Sequence, residues 1–245
     1  MFKAIIKAET LKSVIYIVST IVDEAKMSIT PEQVSIKAID PAHVAMLDVS
    51  VKAEAFNTYE ADEGEIGLDL EKVKAVLKLA DGNDDIFLEH DPEQCRLTMR
   101  IGNITRRMSL VDTSNMSDPK VPSIELVNHV KLTADILKRG IRASESISDY
   151  ILITVDPEGF DISCRGDTDF ASLRVGTADV SEIQASSSIK SMYPLGYFAN
   201  IVKVIPDKTE VAVCLDNDFP VKLLFNLAEG NINVVYFLAP RIENE

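Results

Sequence analysis

The chain has no tryptophan, only three cysteines and three histidines in 245 residues, and no apolar run near the ~20 residues of a membrane-crossing helix. Each shortage excludes something. Cys95, Cys164 and Cys214 are widely spaced and odd in number, so no disulfide framework is expected and a reducing cytoplasm is the natural setting. His43, His90 and His129 lie far apart, none with Cys or His at metal-ligand spacing, so no metal site is expected. The glycine-rich GxGxxG loop, the GxxxxGK phosphate loop and the HExxH pair are all missing, so neither a catalytic centre nor a cofactor is expected. Asp81, Asp84 and Asp85 fit a solvated turn after a helix better than a cation site. The start, MFKAIIKAET, is too short and too soon charged for a signal peptide. Positive charge is scarce as well. With 25 Lys and Arg against 39 Asp and Glu the net charge is −14, which excludes a protein coated all round by nucleic acid but not one basic face. No Arg and Asn cluster is suited to base edges, and no aromatic series to base stacking.

What is present is a globular composition, 46% hydrophobic and 26% charged, written twice. MSITPEQVSIKAID (27–40) is echoed by ITVDPEGFDISCRG (153–166). Pro31 matches Pro157, and the same offset pairs Glu32 with Glu158, Ile36 with Ile162, Ala45 with Ala171 and Leu47 with Leu173. Asp156 and Asp161 fall where the first copy has Thr30 and Ser35, so a shared turn explains them better than a carboxylate pair for acid–base work. Between the copies, TSNMSDPKVPS (113–123) has the Ser, Asn, Asp and Pro of an exposed connector. Two domains are expected, 1–116 and 125–245, joined by a connecting loop at 117–124.

Periodicity assigns the elements. Strands are expected at 1–7, 27–29, 34–38, 43–53, 86–90, 95–103 and 106–111, with helices at 9–23 and 68–80. After the connector, strands are expected at 124–132, 150–155, 160–163, 170–175, 211–215, 222–225 and 233–238, with helices at 133–147 and 195–205. Thr133 is the expected N-cap of the third helix, with Asp135 in its first turn. The result is α+β, two helices per half covering one face of antiparallel sheets. Each helix keeps a cationic polar side: Lys12 on the first, Lys72, Lys74 and Lys78 on the second, Lys138, Arg139 and Arg142 on the third, Lys203 on the fourth. Glu71, Asp135 and Glu145 interrupt it.

IDPAHVAMLDV (39–49), the pair Phe219-Pro220 with FLAPRIENE (237–245), and the two-fold repeat resemble the proliferating cell nuclear antigen family of DNA sliding clamps over the whole chain. Length, acidity and a brief acidic tail are closest to archaeal members. The resemblance implies the DNA-clamp fold in a head-to-tail ring of three copies around duplex DNA, with sheets outside and helices lining the hole. The eight helix cations would then face DNA and neutralise phosphates without reading sequence. Polymerase, clamp loader, flap endonuclease and DNA ligase are the implied partners, held by short peptides, in an archaeal cytoplasm at the nucleoid and away from membranes. The implied peptide site comprises Ile39, His43, Val44 and Met46, connector residues Val121 and Pro122, Phe219 with Pro220, and Phe237, Leu238, Ala239 and Pro240. The connector departs from the family's apolar habit at Ser117, Asp118 and Lys120, so the loop itself should grip weakly. Ring closure would join Arg106, Arg107, Ser109, Leu110 and Val111 to Ala171, Leu173, Arg174 and Val175 of the next copy. Two readings stay beside it: one subunit of a mixed ring, or an acidic protein-interaction adaptor that encircles nothing.

Overall fold

Alternating and helical spacings succeed one another twice, and the backbone follows. The computed structural model describes residues 1–116 and 118–242; Ser117, where the connector was expected to begin, and Glu243, Asn244 and Glu245 of the tail motif lie outside the described residues. The first half runs β1 (Phe2–Lys7), α1 (Ala8–Val18), β2 (Glu24–Ile29), β3 (Gln33–Ile39), β4 (Ala45–Lys52), β5 (Thr58–Ala61), β6 (Gly64–Asp69), α2 (Leu70–Leu77), β7 (Asp85–Asp91), β8 (Arg96–Ile101) and β9 (Ile104–Ser109). The second runs β10 (His129–Thr133), α3 (Ala134–Ser144), β11 (Tyr150–Asp156), β12 (Gly159–Arg165), β13 (Phe170–Gly176), β14 (Glu182–Gln184), β15 (Ile189–Pro194), α4 (Leu195–Val204), β16 (Glu210–Cys214), β17 (Val221–Leu227) and β18 (Ile232–Leu238). The order of strands and helices is the same in both. So is the pairing: β1 lies between β5 and β7 as β10 lies between β14 and β16, and β2 between β3 and β6 as β11 between β12 and β15. The fold is α+β.

Two compact units result. The first comprises Met1–Pro41, Leu47–Lys120 and Leu227–Val234; the second comprises Ala42–Met46, Val121–Asn226 and the chain from Val235 on. In the first, the antiparallel order β5-β1-β7-β8-β9 forms one sheet and β4-β3-β2-β6 lie side by side in another. Strand β1 buries Phe2, Ala4 and Ile6 and turns Lys3 and Lys7 outward, where they meet Glu89 at 3.0 Å and Asp85 at 2.8 Å across β7. Helix α1 presents Val14, Ile15, Ile17 and Val18 to the core, and α2 presents Leu70, Val73, Val76 and Leu77. In the second unit the orders are β14-β10-β16-β17 and β13-β12-β11-β15. Helix α3 buries Ile136, Leu137, Gly140, Ile141 and Ser144. A Cβ on Gly140 would stand 2.8 Å from Ile162 Cδ1, so α3 packs on β12 as closely as it does because that position has no side chain.

Several expectations need correcting. Helix α1 stops at Val18 instead of residue 23, because the Thr20 hydroxyl donates to Ile17 O at 2.7 Å and the next amides bond three residues back. Residues 64–69, partly read as helix, form β6, and Asp69 caps α2 by accepting from Lys72 N at 3.0 Å. Strands β5, β14 and β15 were not foreseen. The expected strand at 43–53 starts only at Ala45, because His43 holds a left-handed φ of 57°. Only residues 129–133 of the expected strand 124–132 and its flank are extended in a sheet. Thr133 occupies the N-cap position of α3, but its hydroxyl donates to Asp135 Oδ1 and makes no capping bond.

Candidate functional site

The cationic helix residues come first. Within the first unit α1 and α2 pack together. Lys12 donates to Ala80 O at 2.6 Å, tying α1 to the end of α2. Lys72 pairs with Asp69 at 2.8 Å and Lys74 with Glu71 at 2.5 Å. The Lys72 contacts hold the Asp69 carboxyl below the usual carboxylate range. Lys78 is exposed and has no ion pair among the described residues. Within the second unit α3 and α4 pack together. There Lys138 pairs with Asp207 at 2.6 Å and Lys203 with Glu145 at 2.5 Å, while the Arg142 Nε donates to Lys138 O at 3.3 Å. Lys138 lowers the Asp207 pKa. Arg139 is exposed without an ion pair among the described residues. Four of the eight, Lys72, Lys74, Lys138 and Lys203, are thus paired with a carboxylate, whereas Lys12, Lys78, Arg139 and Arg142 have no ion pair among the described residues. Asp69 and Asp207, which supply two of those carboxylates, went unnoticed in the sequence.

The two expected edges are edges. Strand β9 ends the five-stranded order and pairs with β8; β13 ends its four-stranded order and pairs with β12. Arg106, Arg107 and Ser109 lie on β9, and Ala171, Leu173, Arg174 and Val175 on β13. Leu110 and Val111 lie beyond the end of β9. The Leu110 amide donates to Cys95 O at 3.0 Å, next to the start of β8, and the Val111 amide to Gly67 O at 2.9 Å, which sets the chain against β6. That crossing needs a glycine, since a Cβ on Gly67 would lie 2.2 Å from Val111 O. Arg174 is already spent: its guanidinium grips Asp156 at 2.9 and 2.8 Å and holds that carboxyl below its ordinary pKa.

The apolar group divides. Ile39 belongs to the first unit and the rest to the second. Ala239 N donates to Val44 O at 2.8 Å, which sets the tail beside residues 42–46. Phe219 is 47% exposed, presented by a turn in which Asp218 has φ 53° and anchored where the buried Tyr193 hydroxyl donates to Phe219 O at 2.8 Å. Burial raises the Tyr193 pKa, so that donor stays protonated. His43 and Pro122 are exposed, and Val44, Val121, Pro220, Ala239 and Pro240 half-buried. Met46, Phe237 and Leu238 are core residues at 6%, 5% and 0% exposure, so a surface role for them is corrected. Arg241 was overlooked. Its guanidinium lies 4.1 Å over the Tyr150 ring and its amide donates to Met192 O at 2.8 Å, tying the tail to β15. Asp40, 2% exposed, is a second residue overlooked, although its place within IDPAHV was a signal.

Among the described residues no group of three or more His, Cys, Asp or Glu is placed to hold a metal ion, and no helix is long and apolar enough to cross a membrane.

A family model of the proliferating cell nuclear antigen N-terminal domain matches residues 1–118, and one of its C-terminal domain matches residues 120–241. The DNA polymerase sliding clamps of Methanocella arvoryzae and Methanosarcina barkeri are each 39% identical over 246 residues, covering 100% of this chain and of each relative. Among solved structures, A. fulgidus PCNA bound to the C-terminal region of FEN-1 matches with a TM-score of 0.94 at 30% identity, covering 100% of both chains.

Proposed function

Because the chain belongs to the proliferating cell nuclear antigen family, we propose that it is a DNA sliding clamp: a non-catalytic cytoplasmic ring that encircles duplex DNA and tethers polymerase and other replication and repair proteins. The observation that carries the ring is a matter of repeats. Strand β9 is the counterpart of β18, and β13 of β4. Strands β18 and β4 run side by side: Lys52 N donates to Asn231 O at 2.9 Å, Asn233 Nδ2 to Ser50 Oγ at 3.4 Å, and Ala239 N to Val44 O at 2.8 Å. The equivalent pair, β9 and β13, is left open. A second copy offering β13 to β9 would repeat between chains the strand pairing that β18 and β4 make within one, and a head-to-tail contact of this kind must close to avoid filaments. Three chains closing in this way agree with the family. The connector at 117–124 would then link the two domains, 1–116 and 125–245.

Sedimentation at micromolar concentration tests the reading, paired with polymerase extension on primed circular DNA. A species of three times the 27.0 kDa chain that lengthens polymerase products is expected. A monomer that needs a second clamp-like chain indicates a mixed ring. A monomer that binds clients and never raises processivity indicates an adaptor, and overturns the clamp.

The solved relative holds the C-terminal region of FEN-1, which supports peptide capture by Phe219, Pro220, Ala239 and Pro240 beside Val44. An exposed aromatic beside two prolines and a chain edge suits a peptide with apolar anchors. Changing Phe219 and Pro220 together to Ser should weaken a flap-endonuclease C-terminal peptide by ~2 kcal/mol, about 30-fold, with ring size unchanged. Calorimetric titration reads this. Equal affinity for variant and parent removes these residues from the site.

A further inference from the structure

We infer that Tyr193 and Asn217 are positioning residues for peptide capture: they fix, from strand β15, the loop that holds Phe219 outward, and so set peptide affinity by way of Phe219; the inference rests on the peptide-capture reading above. A loop of six residues, 215–220, joins β16 to β17. Those strands pair from Val211 opposite Phe225 to Cys214 opposite Lys222, and there the register ends. Hairpins that fix their own tip have loops of about two to five residues. This longer tip stays free unless something outside its own sheet holds it.

Strand β15 does so. It is the last strand of the order β13-β12-β11-β15, so one side of its backbone is left without a strand partner. There the Lys190 amide donates to Asn217 Oδ1 at 3.0 Å, and the Met192 carbonyl accepts from Arg241 N at 2.8 Å. One edge thereby holds both the loop and the tail that follows Ala239 and Pro240, the two parts of the second unit assigned to the peptide. The Tyr193 side chain, turned to the buried side of the same strand, donates its hydroxyl to Phe219 O at 2.8 Å. Tyr193 is 0% exposed and close-packed, so its ring cannot follow the loop if the loop moves. Within the loop Asn217 N donates to Asp216 Oδ1 at 2.8 Å and Phe219 N to Asp216 O at 3.3 Å.

These bonds work against two tendencies. Asp218 has φ 53°, a left-handed conformation that a residue with a side chain keeps only where its surroundings impose it. Phe219, an aromatic ring 47% exposed, gains by turning inward. Pro220 restricts Phe219 itself to extended backbone, which leaves residues 216–218 as the part that can change. Without the hold from β15, the loop spends time in conformations that do not present Phe219. A peptide then binds only the competent fraction, and its affinity falls by that fraction.

The test is a double-mutant cycle read by the anisotropy of a labelled flap-endonuclease C-terminal peptide, with ring size checked by sedimentation. Y193F keeps the ring that fills the core, and N217A changes an exposed residue, so both should fold and assemble as the parent does. Each should weaken the peptide about 5-fold, the size of one net hydrogen bond, and the two together about 25-fold. In a chain that also carries F219S/P220S, neither should matter by more than about 2-fold, because the residue they position is gone. Equal losses in both backgrounds mean a general weakening of the unit and overturn the positioning role. Parent-like affinity for Y193F and N217A, where F219S/P220S does weaken the peptide, overturns it too and leaves the peptide site standing. F219S/P220S bound as tightly as the parent removes the site itself, and the inference with it. Should Y193F misfold, the N217A cycle decides alone.

Discussion

Replacing Leu173 by glutamate is expected to turn the ring into monomers without unfolding them. Leu173 lies opposite Ile162 on β13, between Ala171 and Val175 on the side that faces the core, yet it is only half-buried because β13 is the last strand of its sheet. In a lone chain a glutamate there can turn its carboxylate to water. In the ring the strand of the next copy would cover it and leave an unpaired charge, at a cost of several kcal/mol. Even ~3 kcal/mol at one contact shifts its dissociation constant more than 100-fold, and a closed ring carries the same lesion at every contact. Leu173→Ile keeps the bulk and should keep the ring. Sedimentation velocity with a thermal melt reads both outcomes: monomers are expected, with a melting curve like that of parent monomers diluted below assembly. A glutamate variant sedimenting as the parent ring would place the subunit contact on other strands.

The repeat was legible because it needs only ordered matches such as Pro31 with Pro157 and Leu47 with Leu173, and such matches do not depend on knowing any contact. The buried stripe of α3 was legible too: Leu137, Gly140, Ile141 and Ser144 follow helical spacing, and all four are buried. Short strands were not. TYEA of β5 and EIQ of β14 have too few alternations to register, and Leu68, which fits a helical stripe, belongs to β6, where it lies opposite Ala25 of β2. His43 broke a strand whose alternation continues through it, because a left-handed residue changes the chain's direction without changing its hydropathy.

In the candidate site, spacing distinguished apolar from polar but not core from surface. Phe219 and Phe237 read alike, yet one is 47% exposed and the other 5%, because Asp218 turns the first outward while β18 turns the second in. The same limit applied to charge. Lys74 with Glu71 and Lys72 with Asp69 are near neighbours in sequence, whereas Lys138 meets Asp207 from another part of the chain, and nothing in the helix itself announces that partner.

That distinction gives the second large effect. If the helices line the DNA channel, the cations that count are those with no carboxylate at ion-pair distance; leaving aside Lys12, whose ammonium also holds α1 to Ala80 O, these are Lys78, Arg139 and Arg142. Changing these three to Ala should strip retention on circular DNA and most polymerase stimulation at ~0.15 M salt, because each removes a net charge in every copy of the ring. Changing Lys72, Lys74 and Lys138 should do less. Each of these already faces Asp69, Glu71 or Asp207 at 2.5 to 2.8 Å, so DNA must first compete with a carboxylate for it. Loose contact is what sliding needs: a duplex held by a few replaceable cations can advance, whereas one held by fixed bidentate grips could not. Affinity for DNA should therefore be weak, with a logarithmic salt slope of about −0.9 per phosphate neutralised, and the slope should shrink for the unpaired triple far more than for the paired one. Ring size and peptide affinity should be unchanged in both, since neither set lies on β9 or β13 or in the turn that presents Phe219. If the unpaired triple is retained on circular DNA and stimulates polymerase as well as the parent, these helices do not face the duplex.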